Sequence, residues 1–446
     1  MSEKIFKRKA YQKMLDWKRE SAGKTALLVE GARRVGKSTL VRQFAENEYK
    51  SYILIDFANV VPEVNRLIES SIAELDYLFV RLQLIYHVAL ERRKSLIIFD
   101  EVQLQPLARQ AIKYLVQDGR YDYMETGSLI SIRQNVQHIV IPSEEERIQM
   151  YPMDYEEFRW AMEDEATMPL LEQVMKSRTP LGADVHRRMM RDFRLYMLVG
   201  GMPQAVNEFL DTQNLQKVDN VKRRILKLYA DDLHKLDPSD KLRTLYWAVP
   251  SELSKNASRY QVTTVIENTK QERKQELLEM MRESMIVNIA YQASDPNVGL
   301  ALTADKTRYK MYLADTGLFV TLAFWDKDFT ENDIYEKLLS DKLKANLGYV
   351  YENVVAQMLR ASGNELYYHT FPSQSKHNYE VDFLLSKGNK IIPIEVKSSN
   401  YLSHKSLDEF VEKYSSRVNE RIMLYTKDYQ KDGTTLCLPV YFTSML

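Results

Sequence analysis

Residues 31–38 read GARRVGKS, the spacing G-x-x-x-x-G-K-S/T, and that spacing suits phosphate chemistry. Gly31 and Gly36 let the backbone wrap phosphate oxygens with N–H groups, and a following helix aims its dipole at them. Lys37 would neutralise the β- and γ-phosphates of ATP, and Ser38 would ligate Mg²⁺; Arg34 and Thr39 belong to the same nucleotide-binding turn. A chance glycine turn is the alternative. The flanks argue against it, because ALLVE precedes as an apolar strand and STLVRQFAE follows as a helix. SLIIFDE, residues 95–101, puts Asp100 at the C-terminal end of a strand, where ligands of parallel sheets bind. Asp100 would orient magnesium-bound water and Glu101 would polarise an attacking water, although a helix N-cap is a simpler role for Asp100. Thr126 and Ser128 end the strand METGS, either as γ-phosphate contacts or as ordinary turn chemistry. Arg147 follows the acidic run SEEE and either reaches a neighbouring subunit's γ-phosphate or pairs with those glutamates.

A second constellation lies in EVDFLLSKGNKIIPIEVK, residues 380–397. Gly388-Asn389 is a favoured two-residue hairpin loop. With Lys387 opposite Lys390, Asp382 falls opposite Glu395 and Glu380 opposite Lys397, all on one face. Val381, Phe383, Ile394 and Val396 take the other face, into a core. Facing carboxylates repel unless a cation lies between them. Mg²⁺ or Mn²⁺ meets that need, with hard oxygen ligands from Asp382 and Glu395. Lys397, on the face of Glu395, can orient or help deprotonate a water, which suits metal-assisted phosphodiester hydrolysis. A preceding helix bears Glu352. A solvent-facing hairpin with an acidic face is the plainer alternative.

Strands alternating with helices over the first 155 residues predict a parallel α/β sheet. Residues 154–250 have helical periodicity, broken by VGGMPQ. Helices followed by MIVNIAY and RYKMYLADTG predict a winged-helix module near residues 240–318, with domain edges near 155, 235 and 330. The acidic residue of YLADTGL reads as a turn cap, VKRRILK as a solvated helix face or a DNA contact, and LLEMM as core. The chain has 446 residues, enough for two or three domains, with 62 basic and 62 acidic residues, so no global field marks a nucleic-acid partner. One cysteine, Cys437, excludes an intramolecular disulfide or a cysteine zinc cage. Neither a signal peptide nor a membrane span is expected, and the expected location is the cytoplasm.

With these motifs in view, the chain resembles a bacterial and archaeal family of AAA-superfamily P-loop ATPases. Members carry a C-terminal domain of restriction-endonuclease-like, PD-(D/E)xK fold without an assigned function. The resemblance rests on GARRVGKSTL, IIFDE, YPMDYEEF, YMLVGGMPQAV, YKMYLADTGL, GYVYENVVAQML, EVDFLL and IEVKSS. It implies an ATPase core over 1–155, a helical lid-like region over 156–235, a winged-helix-like module over 236–330 and a nuclease-like domain over 331–446. It also implies that Glu352, Asp382, Glu395 and Lys397 form the nuclease signature, although no proline precedes Asp382. The small-residue–Gly–Arg of the family before the fifth strand reads Glu145-Glu146-Arg147 here. The expected function is ATP hydrolysis controlling a magnesium-binding domain that cleaves or binds DNA, with self-association or a protein partner as a further expectation. The alternatives are a regulatory switch whose nuclease-like domain does not cut, and a remodeller acting on protein.

Overall fold

The computed structural model describes residues 4–71, 74–128, 142–255, 259–267, 269–297, 299–329, 333–339, 347–373, 378–399 and 404–446. The chain divides into two units, Met1–Tyr151 with Glu283–Met285, and Pro152–Arg282 with Ile286–Leu446.

The first unit is built on five parallel strands: β1 (Ala26–Gly31), β2 (Ser51–Asp56), β3 (Ser95–Asp100), β4 (Asp122–Gly127) and β5 (Glu145–Met150). Their order is β2-β3-β4-β1-β5. Every residue of β1, β3 and β4 is buried, as expected of inner parallel strands covered on both faces; β2 and β5 are the edges and expose side chains. On one face Ile53, Ile55, Ile97 and Phe99 pack with Leu78, Phe79 and Leu82 of the helix Leu75–Tyr86 and with Ile112 and Leu115 of the helix Pro106–Asp118. Each such side chain contributes about 1.5–3 kcal/mol through burial. The sheet therefore holds the ends of β1, β3 and β4 side by side.

The second unit contains an eight-stranded sheet of order β12-β13-β11-β10-β9-β8-β6-β7. Its strands are β6 (Val287–Ala293), β7 (Ala304–Leu313), β8 (Leu366–Pro372), β9 (Asn378–Lys387), β10 (Lys390–Lys397), β11 (Arg421–Tyr425), β12 (Gln430–Asp432) and β13 (Thr435–Pro439). Three helices, Lys241–Ser254, Val262–Val265 and Gln271–Ser284, precede β6 and β7, the order expected of a winged helix. The two strands do not stand apart as a wing, however. β6 pairs in parallel with β8 through Ala290–Leu366, Tyr291–Tyr367 and Gln292–Tyr368. Six of the seven β6 residues are buried, where a solvated wing would alternate. The expected edge at 330 is thus bridged by a sheet.

The hairpin has the expected register, with Lys387 opposite Lys390 and the pairing running to Phe383 opposite Ile394. Regular pairing stops there, because the Asp382 carboxylate accepts from the Val396 N–H at 2.8 Å. The motif residues elsewhere in this unit serve packing. Asp315 caps the helix Thr316–Ala323 by accepting from Leu318 N at 2.8 Å, and it also accepts from Gly201 N at 2.5 Å. Gly200 has φ 82°, and a Cβ there would meet Asp315 Oδ1 at 2.4 Å. Asn353 of the helix Gly348–Ala361 accepts from Leu313 N at 2.8 Å and donates to Leu313 O at 3.2 Å, finishing the ladder of β7. In VKRRILK Arg224 and Lys227 are exposed, but Lys222 turns inward: it is fully buried and donates to Leu198 O at 2.7 Å and Gly317 O at 3.1 Å. Among the described residues no helix is long and apolar enough to cross a membrane.

Candidate functional site

The turn after β1 brings the first set together. Gly31 ends β1 so close to β5 that a Cβ would meet Met150 O at 2.3 Å, and Gly36 turns the chain at φ 98° into the helix Lys37–Glu48. Lys37 is buried and folds across the inside of the loop, donating to Gly31 O at 3.0 Å and Ala32 O at 2.9 Å. Burial lowers its pKa, while the Glu101 and Asp100 carboxylates oppose that shift. Ser38 Oγ donates to Asp100 Oδ1 at 2.8 Å, and Thr126 Oγ1 donates to the same oxygen. Three strand and helix ends thus place two hydroxyls and a carboxylate together, and Ser38 with Asp100 makes a donor set that fits Mg²⁺. Glu101 sits in the left-handed region at φ 55°, with its N–H on Thr126 Oγ1 at 3.2 Å and its carboxylate on Gln103. A non-glycine residue in that region is strained, and the strain sits at the expected water-polarising residue.

Arg34 is exposed on the loop at φ 69°, Thr39 is half-buried in the first helical turn, and Ser128 lies one residue beyond β4. Arg147 bonds Glu145 Oε1 at 2.8 Å, and Glu145 also bonds the buried Arg109 at 3.0 Å. Arg147 thus pairs with one of the glutamates of the acidic run. Arg8 escaped the sequence reading. Its buried guanidinium donates to Val35 O at 2.8 Å and Tyr151 O at 2.6 Å, bracing the loop against the end of the sheet. The basic run KRK was the available signal, but a run of like charge gives no hint of which member turns inward.

In the second unit, Glu352, Glu380, Asp382, Glu395 and Lys397 share one region. Val381, Phe383, Ile394 and Val396 are buried, as expected for the opposite face. Lys397 Nζ bonds Glu395 Oε1 at 2.6 Å, and Glu395 Oε2 is buried without a hydrogen-bond partner. Burial raises the Glu395 pKa, Lys397 opposes the shift and Asp382 adds to it. Burial pushes the Glu352 carboxyl up to about 7, with Lys310 opposing and Asp382 and Glu380 adding. The orphaned Glu395 oxygen beside Asp382 fits a hard divalent cation as a two-carboxylate donor set. Among the described residues, no three His, Cys, Asp or Glu side chains converge on one metal position.

Lysine is the cation that the sequence reading missed. Lys310, on β7, is buried and bonds Glu380 Oε1 at 2.5 Å and Glu352 Oε2 at 3.5 Å. Repulsion among the carboxylates is therefore relieved by two lysines, where the sequence alone called for a metal. Nothing local to the hairpin could have signalled Lys310, which arrives through the β6–β8 pairing.

Three family models match separate stretches of the chain. Residues 23–159 match the family model described as an AAA domain. Residues 190–328 match a domain of unknown function (DUF8612), and residues 347–442 match a second (DUF4143). No curated protein matches. Among solved structures, a Walker-type ATPase of Pyrococcus abyssi is 16% identical with a TM-score of 0.44, over 72% of this chain and 97% of that one. A signal-transduction ATPase with numerous domains and a tetratricopeptide repeat sensor, from Pyrococcus horikoshii, is 12% identical with a TM-score of 0.28, over 82% of this chain and 49% of that one. Cdc6p of Pyrobaculum aerophilum is 13% identical with a TM-score of 0.26, over 77% and 98%. These likenesses are too distant to assign a function. The first unit carries a P-loop ATPase domain of the AAA type.

Proposed function

We propose that the chain binds and hydrolyses ATP in its first unit and that the second unit carries a metal-dependent site acting on DNA under ATP control. The observation that carries the reading is the meeting of Ser38, Asp100 and Thr126 beside the loop of Lys37. Lys37 would leave the loop carbonyls for the β- and γ-phosphates, the loop N–H groups would cradle them, and Glu101 would orient and polarise the attacking water. Mg²⁺ held by Ser38 and Asp100 would neutralise charge on the transferring phosphate.

In the second unit, Asp382 and Glu395 would hold a divalent cation, which would supply Lewis-acid polarisation of a phosphodiester. Lys397 would orient or help deprotonate a water, and Glu352 would complete the acidic set. A cleft of about 240 Å³ on the same unit supports an anionic partner. Arg259, Lys274 and Lys306 line it with Gln261, Gln271 and Gln275, and no carboxylate is among its described lining residues. A second reading has one observation in its favour: Lys310 and Lys397 already compensate the acidic face, as suits a regulatory switch whose second unit binds without cutting. ATP turnover by wild type against Lys37→Ala tests the first unit, and metal-dependent plasmid cleavage separates the two readings of the second.

A further inference from the structure

Lys310 lies outside the segment that carries the acidic hairpin, yet it is a member of the same site. Strand β7 is the edge neighbour of β6, and β6 pairs with β8, which in turn pairs with β9. Alternation along β7 puts Lys310 and Tyr312 on one face. Both point to Glu352: Lys310 Nζ lies 3.5 Å and Tyr312 Oη 3.4 Å from the same oxygen, Oε2. Glu380 accepts from Lys310 at 2.5 Å, and the ammonium also lies 5.7 Å from the centre of the Tyr368 ring. Two donors from β7 therefore hold Glu352. Asp382, by contrast, is held by Val396 N, and Glu395 by Lys397.

The carboxylates are in this way divided into two groups. Glu352 and Glu380 belong to Lys310, and Asp382 and Glu395 belong to the hairpin. The division accounts for the lack of a three-acid convergence among the described residues. It also leaves Glu395 Oε2, in a side chain only 7% exposed, buried and without a hydrogen-bond partner. A buried acceptor in that condition costs on the order of 1–3 kcal/mol unless something fills its place.

We propose that Lys310 keeps the acidic site one ligand short: it draws Glu352 away from Asp382 and Glu395, and the third carboxylate joins a divalent cation only when Lys310 is withdrawn. The inference rests on the reading of Asp382 and Glu395 as a metal pair. Its physical basis is competition between cations. A buried ammonium and a divalent ion make the same demand on Glu352, and affinity for a hard cation rises with the number of charged oxygens offered to it. Lys310 is accordingly a positioning residue, acting on the metal through Glu352.

The test is Mn²⁺ binding to the full chain, by calorimetry and by the electron paramagnetic resonance of the free ion. Lys310→Met is expected to tighten Mn²⁺ binding about tenfold or more, through the added charged ligand. Glu352→Gln in that background should remove the gain, and Lys310→Arg, which keeps the charge, should match wild type. Lys310→Gln removes the charge while keeping a polar group and guards against loss of fold in Lys310→Met; a gain of the same sign is expected. A folded Lys310→Met or Lys310→Gln variant with wild-type affinity overturns the inference. Asp382→Asn separates the two levels of the argument. If it weakens Mn²⁺ binding about tenfold or more while the Lys310 variants gain nothing, the metal pair stands and the role of Lys310 falls. If it leaves Mn²⁺ binding intact in every background, the metal pair itself falls.

Discussion

The nucleotide loop and the acidic hairpin solve the same problem, placing charge away from water, in different ways. In the loop, Lys37, Ser38, Asp100 and Thr126 satisfy one another or the loop's own carbonyls. Each sits at or just beyond the end of a strand or at the start of a helix, so one sheet positions all of them. In the hairpin, the charges come from β7, β9, β10 and the helix Gly348–Ala361, and the compensating cation Lys310 lies 42 and 70 residues from its carboxylate partners Glu352 and Glu380. A site whose partners lie within its own motifs can be read from a sequence. A site completed by a distant strand cannot.

Substitutions can break or sharpen that contrast. The largest effect belongs to the loop. Lys37→Ala is expected to lower ATP turnover by about 10²–10³-fold or more, because the phosphates lose their neutralising charge. Turnover at the wild-type rate would remove the nucleotide-site assignment. Next in size, Asp315→Ala should destabilise the second unit by about 2 kcal/mol or more, since two buried N–H groups, of Gly201 and Leu318, lose their acceptor. Chemical denaturation measures it, and an unchanged midpoint would deny Asp315 its capping role.

Within the hairpin, Asp382→Asn should weaken Mn²⁺ binding to the full chain about tenfold by removing one of two charged ligands. Equal calorimetric affinity would mark the acidic face as structural. The smallest effect concerns pH. Burial raises Glu352 from its ordinary range to about 7, so between its unfolded value and 7 the folded chain holds the extra proton. Stability contributed by the neutral carboxyl is therefore lost as pH rises through that window. Glu352→Gln cannot ionise, so its melting temperature relative to wild type should rise between pH 5 and about 7.5. A pH-independent difference would contradict the burial of that carboxyl.

Legibility followed the range of each interaction. Runs such as ALLVEG and SLIIFD announced buried parallel strands, because inner strands covered on both faces need no alternation. The Gly-Asn turn set the hairpin register as far as Phe383 and Ile394. The side-chain bond from Asp382 to Val396 N, which ends that register, lies beyond what a turn dictates. The pairing of β6 with β8 was not legible, because pairing propensity does not reveal which strand edges meet. Lys222 looked like one of several solvated cations in VKRRILK, while its burial depends on carbonyls of Leu198 and Gly317 that approach from elsewhere. The metal expected between Asp382 and Glu395 was an inference from repulsion alone, and the ion pair of Lys397 with Glu395 shows a second way to relieve it.

The most direct test of the account is plasmid cleavage by the full chain with Mg²⁺ or Mn²⁺, with and without ATP, beside Glu395→Ala. The account predicts metal-dependent cleavage that Glu395→Ala loses and that ATP changes in rate. Absence of cleavage under every condition, or cleavage that survives Glu395→Ala, would contradict it and favour a second unit that binds without cutting.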